Sequence, residues 1–426
     1  MHVIALARSF LAGEPTIDGI VARASGTLGR RWRWLRPLAR RYVAATQGAT
    51  RPRVREVVQF LLQDPGFRRA QSAHFHKLSV AQWLNEAQRM QPVAAALQWD
   101  LPAIESIGDL ARWLELQPRE LDWFADLKGL LYRAKSPRLS HYHYRVLEKP
   151  SGGMRLIEAP KPRLKEMQRR ILAEILEKVP AHPAVHGFVK GRSIQTFAAP
   201  HVGQRVVLRM DLQDFFPAFP AARIQTLFRT LGYPESVADL LGGICTNAAP
   251  FRSELYRRPH LPQGAPTSPA LANICTYRAD CRLTGLAQSA GAIYTRYADD
   301  LAFSGGEDFE RRVERFSTHA AVILQEEGLS VNHRKTRIMR QGVRQHLAGL
   351  VVNEKVNVMR SDYDHLKAIL TNCIRSGPGT QNRGSHPDFR AHLEGHVAFA
   401  EMIHPAKGAR LRKLLEQISW PGEPTS

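Results

Sequence analysis

The segment Tyr297-Ala298-Asp299-Asp300 constrains this chain more than any other. It lies between two short apolar runs, 293–296 and 301–304, of the kind that pair as a hairpin. Two adjacent carboxylates in a tight turn repel one another, and a divalent cation relieves that repulsion. A third acid, Asp211, ends a separate apolar run, Arg205-Val-Val-Leu-Arg-Met-Asp. A carboxylate at the end of a buried strand is costly unless it is paired or binds a cation. Alone, an Asp-Asp pair reads as a solvated turn. Asp214, on the loop beyond the strand, reads as a cap for the segment that follows. What gives the turn weight is Asp211 on its own strand.

The surrounding pattern predicts mixed architecture. Strands over 142–147 and 154–157 are joined by the turn signal Pro150-Ser151-Gly152-Gly153. A helix follows over 164–178, ended by Pro180, then a strand over 206–211 and a helix over 221–231. A further helix begins after Pro266 and runs through Asn273 to Cys281, and another spans 309–327 with Gly328 as its C-cap. This order predicts an α+β domain with a mostly antiparallel sheet backed by helices. Residues 1–135 read as a helical basic N-terminal extension, with helical spacings over 107–133 broken near Pro118. From Ser361 the chain reads as helical again, with a flexible break at 376–384. The expected division is 1–135, 136–345 and 346–426.

Charge limits the partners. The chain of 426 residues carries 60 Lys and Arg against 39 Asp and Glu, a formal net charge of +21. Such a surface attracts polyanions, nucleic acid first and an anionic membrane surface second. No apolar run is long enough to span a bilayer, and residues 1–13 lack a signal-peptide pattern. Four cysteines without a CxxC pair predict reduced thiols of a cytoplasmic protein rather than a zinc site. In the N-terminal extension, Arg30, Arg31, Arg33, Arg36, Arg40 and Arg41 interleave with Trp32 and Trp34. That run reads either as a solvated helix face with two packed tryptophans or as an RNA-contacting surface.

Five blocks in order resemble the reverse transcriptase family, and specifically bacterial retron-type enzymes. The resemblance runs from about Tyr144 to the C-terminus. The blocks are Arg209-Met-Asp-Leu-Gln-Asp-Phe-Phe-Pro, Leu261-Pro-Gln-Gly-Ala-Pro-Thr-Ser-Pro-Ala-Leu-Ala-Asn, Tyr294-Thr-Arg-Tyr-Ala-Asp-Asp-Leu, Val331-Asn-His-Arg-Lys-Thr and His346-Leu-Ala-Gly-Leu-Val-Val-Asn. Retron enzymes commonly carry Val-Thr-Gly in the fifth block, where this chain has Leu347-Ala348-Gly349. The resemblance implies a right-hand polymerase with fingers, palm and thumb. It implies Asp211, Asp299 and Asp300 as catalytic metal-binding acids, with Leu212 lending its backbone carbonyl. Two Mg²⁺ ions are expected, with Mn²⁺ as a substitute, about 3.5–4 Å apart.

For the incoming dNTP, Phe216 is expected to block a 2′-OH, whereas Phe215 reads as core. Arg155 suits a phosphate grip through its planar fork, with Lys149 or Lys161 as a second cation. The family places a glutamine near the sugar, here Gln263, and Gly264 beside it allows close backbone approach. Lys335 is a candidate acid for the leaving pyrophosphate, or a plain surface lysine. Lys407, Arg410, Arg412 and Lys413 form a basic set that reads as RNA-contacting or as a solvated helix face. The expected partners are a cognate structured non-coding RNA, its DNA product and an effector protein, in antiphage defence. Alternatives are a group II intron-type or non-retron defence polymerase, and an inactive RNA-binding scaffold.

Overall fold

The computed structural model describes residues 2–13, 15–46, 52–74, 77–84, 90, 92–131, 139–148, 154–249 and 254–420. Lys149 and the turn 150–153 lie outside these residues. The chain forms two compact units, Met1–Val179 with Phe219–Ser268, and Pro180–Ala218 with Pro269–Ser426. Both units are discontinuous in sequence, so they cut across the expected division into 1–135, 136–345 and 346–426. That division stays a proposal about fingers, palm and thumb.

The first unit opens with α1 (His2–Leu11), α2 (Ile17–Thr27), α3 (Leu35–Thr46), α4 (Val54–Gln63) and α5 (Pro65–His74). These helices share one core that includes Leu6, Phe10, Ile20, Leu35, Leu38, Tyr42, Leu61 and Phe67. In α3 the buried residues Leu35, Leu38, Ala39 and Tyr42 follow the i, i+3, i+4, i+7 pattern of a one-faced helix. Thr16 caps α2 by accepting a hydrogen bond from the Gly19 N–H. Further on, helices span Ile107–Trp113 and Pro118–Ala125. Pro118 starts the second of these, because its missing N–H costs nothing in a first turn.

Strands β1 (Tyr142–Glu148) and β2 (Met154–Pro160) then form an antiparallel ladder, from Tyr142 opposite Pro160 to Glu148 opposite Met154. The helix Pro162–Glu174 ends in a 3₁₀ turn, Leu176–Lys178. Helix Glu235–Cys245 was not anticipated from sequence. It is buried from Leu240 to Cys245, and Gly242 and Gly243 weaken its helical signature.

The second unit is built on an antiparallel sheet of β3 (Val206–Gln213), β4 (Ala292–Tyr297), β5 (Asp300–Gly305), β6 (Ser330–Val331) and β7 (Arg337–Arg340). The order is β4-β5-β3-β6, with β7 also pairing β3. Val206, Val207 and Leu208 are all fully buried, so β3 reads as a continuous apolar run rather than an alternating one. Helix Glu307–Glu326 packs on β3 and β5 through Phe309, Val313, Phe316 and Ala320.

A second small sheet holds β8 (His346–Leu347), β9 (Leu350–Val351) and β10 (Asn357–Val358). Its first turn is Ala348-Gly349, with φ +46° and +82°. Two positive φ values in succession make the tight reversal that a two-residue hairpin needs. The helices Arg360–Ser376, Phe389–Ile403 and Pro405–Leu415 share a core of Leu370, Leu393, Val397, Leu411 and Leu415. The expected break at 376–384 contains a 3₁₀ turn, Pro378–Thr380. Among the described residues, no helix is long and apolar enough to cross a membrane.

Candidate active site

In the second unit the ladder between β3 and β5 sets Asp211 directly opposite Asp300. Opposed residues of an antiparallel pair have Cα atoms about 4.5–5.5 Å apart, so two acids are forced into proximity by backbone register alone. The Leu212 N–H donates to the Asp299 carbonyl at 2.9 Å, and the Asn332 N–H donates to the Asp211 carbonyl at 2.7 Å. Three separate backbone segments therefore meet at the acids. Leu212 points its side chain into the core at 2% exposure, which leaves only its backbone for other contacts.

Each of two acids meets a cation. The Asp211 carboxylate, 4% exposed, lies 3.0 Å and 3.1 Å from Lys335 Nζ. Asp300 Oδ1 accepts from Arg209 Nε at 3.0 Å and Nη2 at 2.9 Å. Burial raises the Asp299 carboxyl above its ordinary range, and the charges of Asp300 and Asp211 raise it further. Burial also raises Asp300, against the opposing pull of Arg209.

Among the described residues, no three acidic, His or Cys side chains converge on one ion-sized point. The carboxylates of Asp300 and Asp211 are turned to Arg209 and Lys335. The donor chemistry nonetheless fits a hard divalent cation. The set is all oxygen, with Asp211 buried and Asp299 and Asp300 half-buried, and its mutual repulsion is what such an ion neutralises.

The turn is braced by residues whose role no local sequence pattern marks. Arg296, fully buried on β4, pairs with the fully buried Asp280 through Nε at 2.8 Å and Nη2 at 2.7 Å. Its Nη1 donates to the Ala298 carbonyl at 3.0 Å and to Asn273 Oδ1 at 3.0 Å. Tyr294 OH also donates to Asp280, at 2.8 Å. Ala298 itself sits at φ +55°, a left-handed conformation that L residues adopt only when their surroundings hold them there.

Gly187 lies so close that a Cβ there would come within 2.5 Å of the Ala298 nitrogen. His201 bridges β4 and β5, with its ring nitrogens 2.7 Å from Thr295 Oγ1 and 2.6 Å from Ser304 Oγ. Burial pushes its pKa down to about 3, so it is a neutral hydrogen-bonding link. The signal for these braces was an arginine inside a strand and an aspartate inside a helix, which reveal themselves only when the two are seen to meet.

The two phenylalanines differ as their positions suggest. Phe215 is 4% exposed and lies under the Arg296 guanidinium at 5.9 Å. Phe216 is half-buried, with its ring 6.3 Å from the exposed Phe188. Lys335 is exposed and reaches Asp211 with its ammonium.

The first unit carries Arg155 and Gln263. Arg155 is exposed on β2 and has no ion-pair partner among the described residues. The Gln263 carbonyl accepts from the Glu158 N–H at 2.9 Å, which lays the Pro-Gln-Gly segment against β2. Gly264, at φ +133°, allows this, since a Cβ there would lie 2.9 Å from the Glu158 carbonyl oxygen. Glu158, fully buried, is held by His260 Nε2 at 3.0 Å and Asn247 Nδ2 at 2.7 Å. This hub was also invisible in sequence.

Of the basic candidates, Arg31 and Arg33 are exposed, and Arg36 pairs with Asp18 at 2.9 Å. Lys407 donates to Asn357 Oδ1 at 3.1 Å and sits 5.1 Å from the Tyr363 ring. Arg412 pairs with Glu401 at 2.8 Å, whereas Arg410 and Lys413 are exposed.

Residues 147–359, half of the chain, match the family described as reverse transcriptase (RNA-dependent DNA polymerase). The retron Mx65 reverse transcriptase of Myxococcus xanthus is 45% identical over 65% of this chain and 64% of its own length. The chain thus spans just under two thirds of that relative. The retron Mx162 reverse transcriptase of the same organism is 36% identical over 75% of this chain and 67% of its own length. The retron Ec86 reverse transcriptase of Escherichia coli is 34% identical over 63% of this chain and 78% of its own length. The mixed, antiparallel architecture agrees with the right-hand polymerase fold of that family. With its acids on paired strands and these relatives beside it, the chain belongs to the reverse transcriptase family, in its bacterial retron type.

Proposed function

We propose that the chain is the RNA-directed DNA polymerase of a retron, acting in antiphage defence. It copies part of a cognate structured non-coding RNA into RNA-linked single-stranded DNA. The observation that carries this reading is the register of Asp211 opposite Asp300, with Asp299 in the adjoining turn. Asp211, Asp299 and Asp300, with the Leu212 carbonyl, hold two Mg²⁺ ions, or Mn²⁺ in their place. Ions held there would supply a lowered pKa for the attacking hydroxyl and charge neutralisation for the triphosphate.

The protein's own groups do the rest. Arg209 and Lys335 balance the acids in the ion-free protein, and Lys335 then serves as the proton donor to the leaving pyrophosphate. Arg155, together with Lys149, grips the triphosphate. Its guanidinium, exposed and without an ion-pair partner among the described residues, supports that role. Gln263 meets the sugar, on a segment fixed to β2. The half-buried ring of Phe216 excludes a ribose 2′-OH.

The retron assignment leans on relatives that are each named as retron reverse transcriptases. It is tested by sequencing the nucleic acid that co-purifies with the protein. A DNA joined to RNA through a 2′ branch is the expected result. Mature intron RNA without attached DNA would move the chain to the intron-type alternative.

A further inference from the structure

We propose that α1–α5 form a second nucleic-acid-binding module, one that grips the phosphate backbone of a double-helical RNA segment rather than its bases. The proposal takes the RNA from the polymerase reading, but its geometry does not involve the catalytic acids.

Residues 1–78 hold 14 Lys and Arg against four Asp and Glu. The three acids among the described residues of this stretch are all committed. Asp18 pairs with Arg36, Glu56 accepts from the Arg53 backbone N–H, and Asp64 pairs with Arg41 and caps the Phe67 N–H. Arg31, Arg33, Arg40 and Arg68 are exposed and have no ion-pair partner among the described residues. A positive excess of this density destabilises a compact unit unless anions compensate it.

The elements that carry these arginines are packed together. The segment leading into α3 lies against α5 through Trp34 on Phe67, with ring centroids 5.6 Å apart, and Trp32 on His74 at 4.8 Å. The Arg41–Asp64 pair joins α3 to the start of α5.

The tryptophans decide which nucleic acid feature is read. Stacking on unpaired bases needs exposed rings. Here Trp32 is 6% exposed, Trp34 packs against the helical core, and the Arg30 guanidinium lies on the Trp32 ring at 3.5 Å. What remains outside is guanidinium, which suits phosphates of a folded RNA whose bases are already paired. An anionic membrane is the weaker fit. Among the described residues of this stretch the exposed large apolar side chains are Ile4 and Leu62, too few to make a face to bury in lipid.

The test is a salt titration of full-length protein on a stem-loop RNA. Every phosphate that the protein no longer neutralises should lower the slope of log K against log salt by about 0.7–0.9. Changing Arg31, Arg33, Arg40 and Arg68 to Gln should therefore lower it by roughly three. The same four positions as Lys should keep the slope, which separates removal of charge from failure to fold. A control with Arg119, Arg169, Arg312 and Arg315 changed to Gln alters net charge equally and should lower the slope less.

An unchanged slope in the first variant, or an equal fall in the control, overturns the proposal. So does weakened binding seen only with phosphatidylserine vesicles, which would make the surface a membrane contact. Wild-type extension of a primed RNA template is run alongside. Its failure would sink the polymerase reading and leave the binding result standing.

Discussion

Replacing Asp280 by Asn should loosen the catalytic hairpin more than any exposed change in the chain. Asp280 and Arg296 are both fully buried, and Asp280 accepts hydrogen bonds from Arg296 Nε, Arg296 Nη2 and Tyr294 OH. The amide keeps the volume but removes the charge, and it leaves a guanidinium in the core without its counter-ion. Breaking a buried pair from one side costs about 3–5 kcal/mol. Whole domains are stable by only about 5–15 kcal/mol, so this is a large fraction.

Because the chain has two units, a single unfolding midpoint is ill-defined, and amide hydrogen exchange in β4 and β5 is the better readout. At about 1.4 kcal/mol per tenfold, exchange there should speed up by roughly 10²–10⁴-fold. Changing both partners, Asp280→Leu with Arg296→Met, should recover part of the protection, because no charge is left buried alone, although Tyr294 OH and Asn273 Oδ1 lose their partners. It should not recover primer extension, since the Ala298 carbonyl still lacks its Arg296 donor. A change below tenfold in Asp280→Asn, or equal loosening in the double variant, would show that the buried pair does not hold the hairpin.

Asp299 and Asp300 hold their protons to higher pH in the folded chain than in the unfolded one. Their contribution to stability is therefore complete below the ordinary carboxylate pKa and is lost as pH rises through the raised folded values. Asp299→Asn should accordingly slow amide hydrogen exchange in β4 and β5 of the ion-free protein near neutral pH, by about tenfold per 1.4 kcal/mol relieved, and much less in acid; faster exchange than wild type at neutral pH would count against it. Phe216→Ala should admit ribonucleotides in a competition assay, and unchanged selectivity for dNTPs would place the gate elsewhere. Gly187→Ala should displace the Tyr297–Ala298 backbone, which a Cβ would approach within 2.5 Å. Extension should fall at a stability cost of about 1–3 kcal/mol, and wild-type extension rates would show that the turn tolerates the shift.

The local features of the site were legible in the sequence. The Asp-Asp turn, the apolar run ending in Asp211 and the flanking strand patterns all follow from short-range chemistry, and β3, β4 and β5 fall where that chemistry puts them. Features made by pairs far apart in the chain were not legible. Arg296 with Asp280, and Glu158 with His260 and Asn247, each look like ordinary polar residues until the fold joins them. Helix Glu235–Cys245 was masked by its two glycines, and β8 to β10 are two-residue strands too short for any periodicity. The Arg-Trp run showed its composition but not its orientation. Packing turns the rings inward and leaves the guanidiniums outside, an outcome set by α5, which lies further along the chain.

The role of Asp299 and Asp300 is tested most directly by primer extension on an RNA template with dNTPs and Mg²⁺, comparing the wild-type chain with Asp299→Asn/Asp300→Asn. The wild type should synthesise DNA and the double variant none, with RNA binding retained in both. Undiminished synthesis by the double variant would contradict that role.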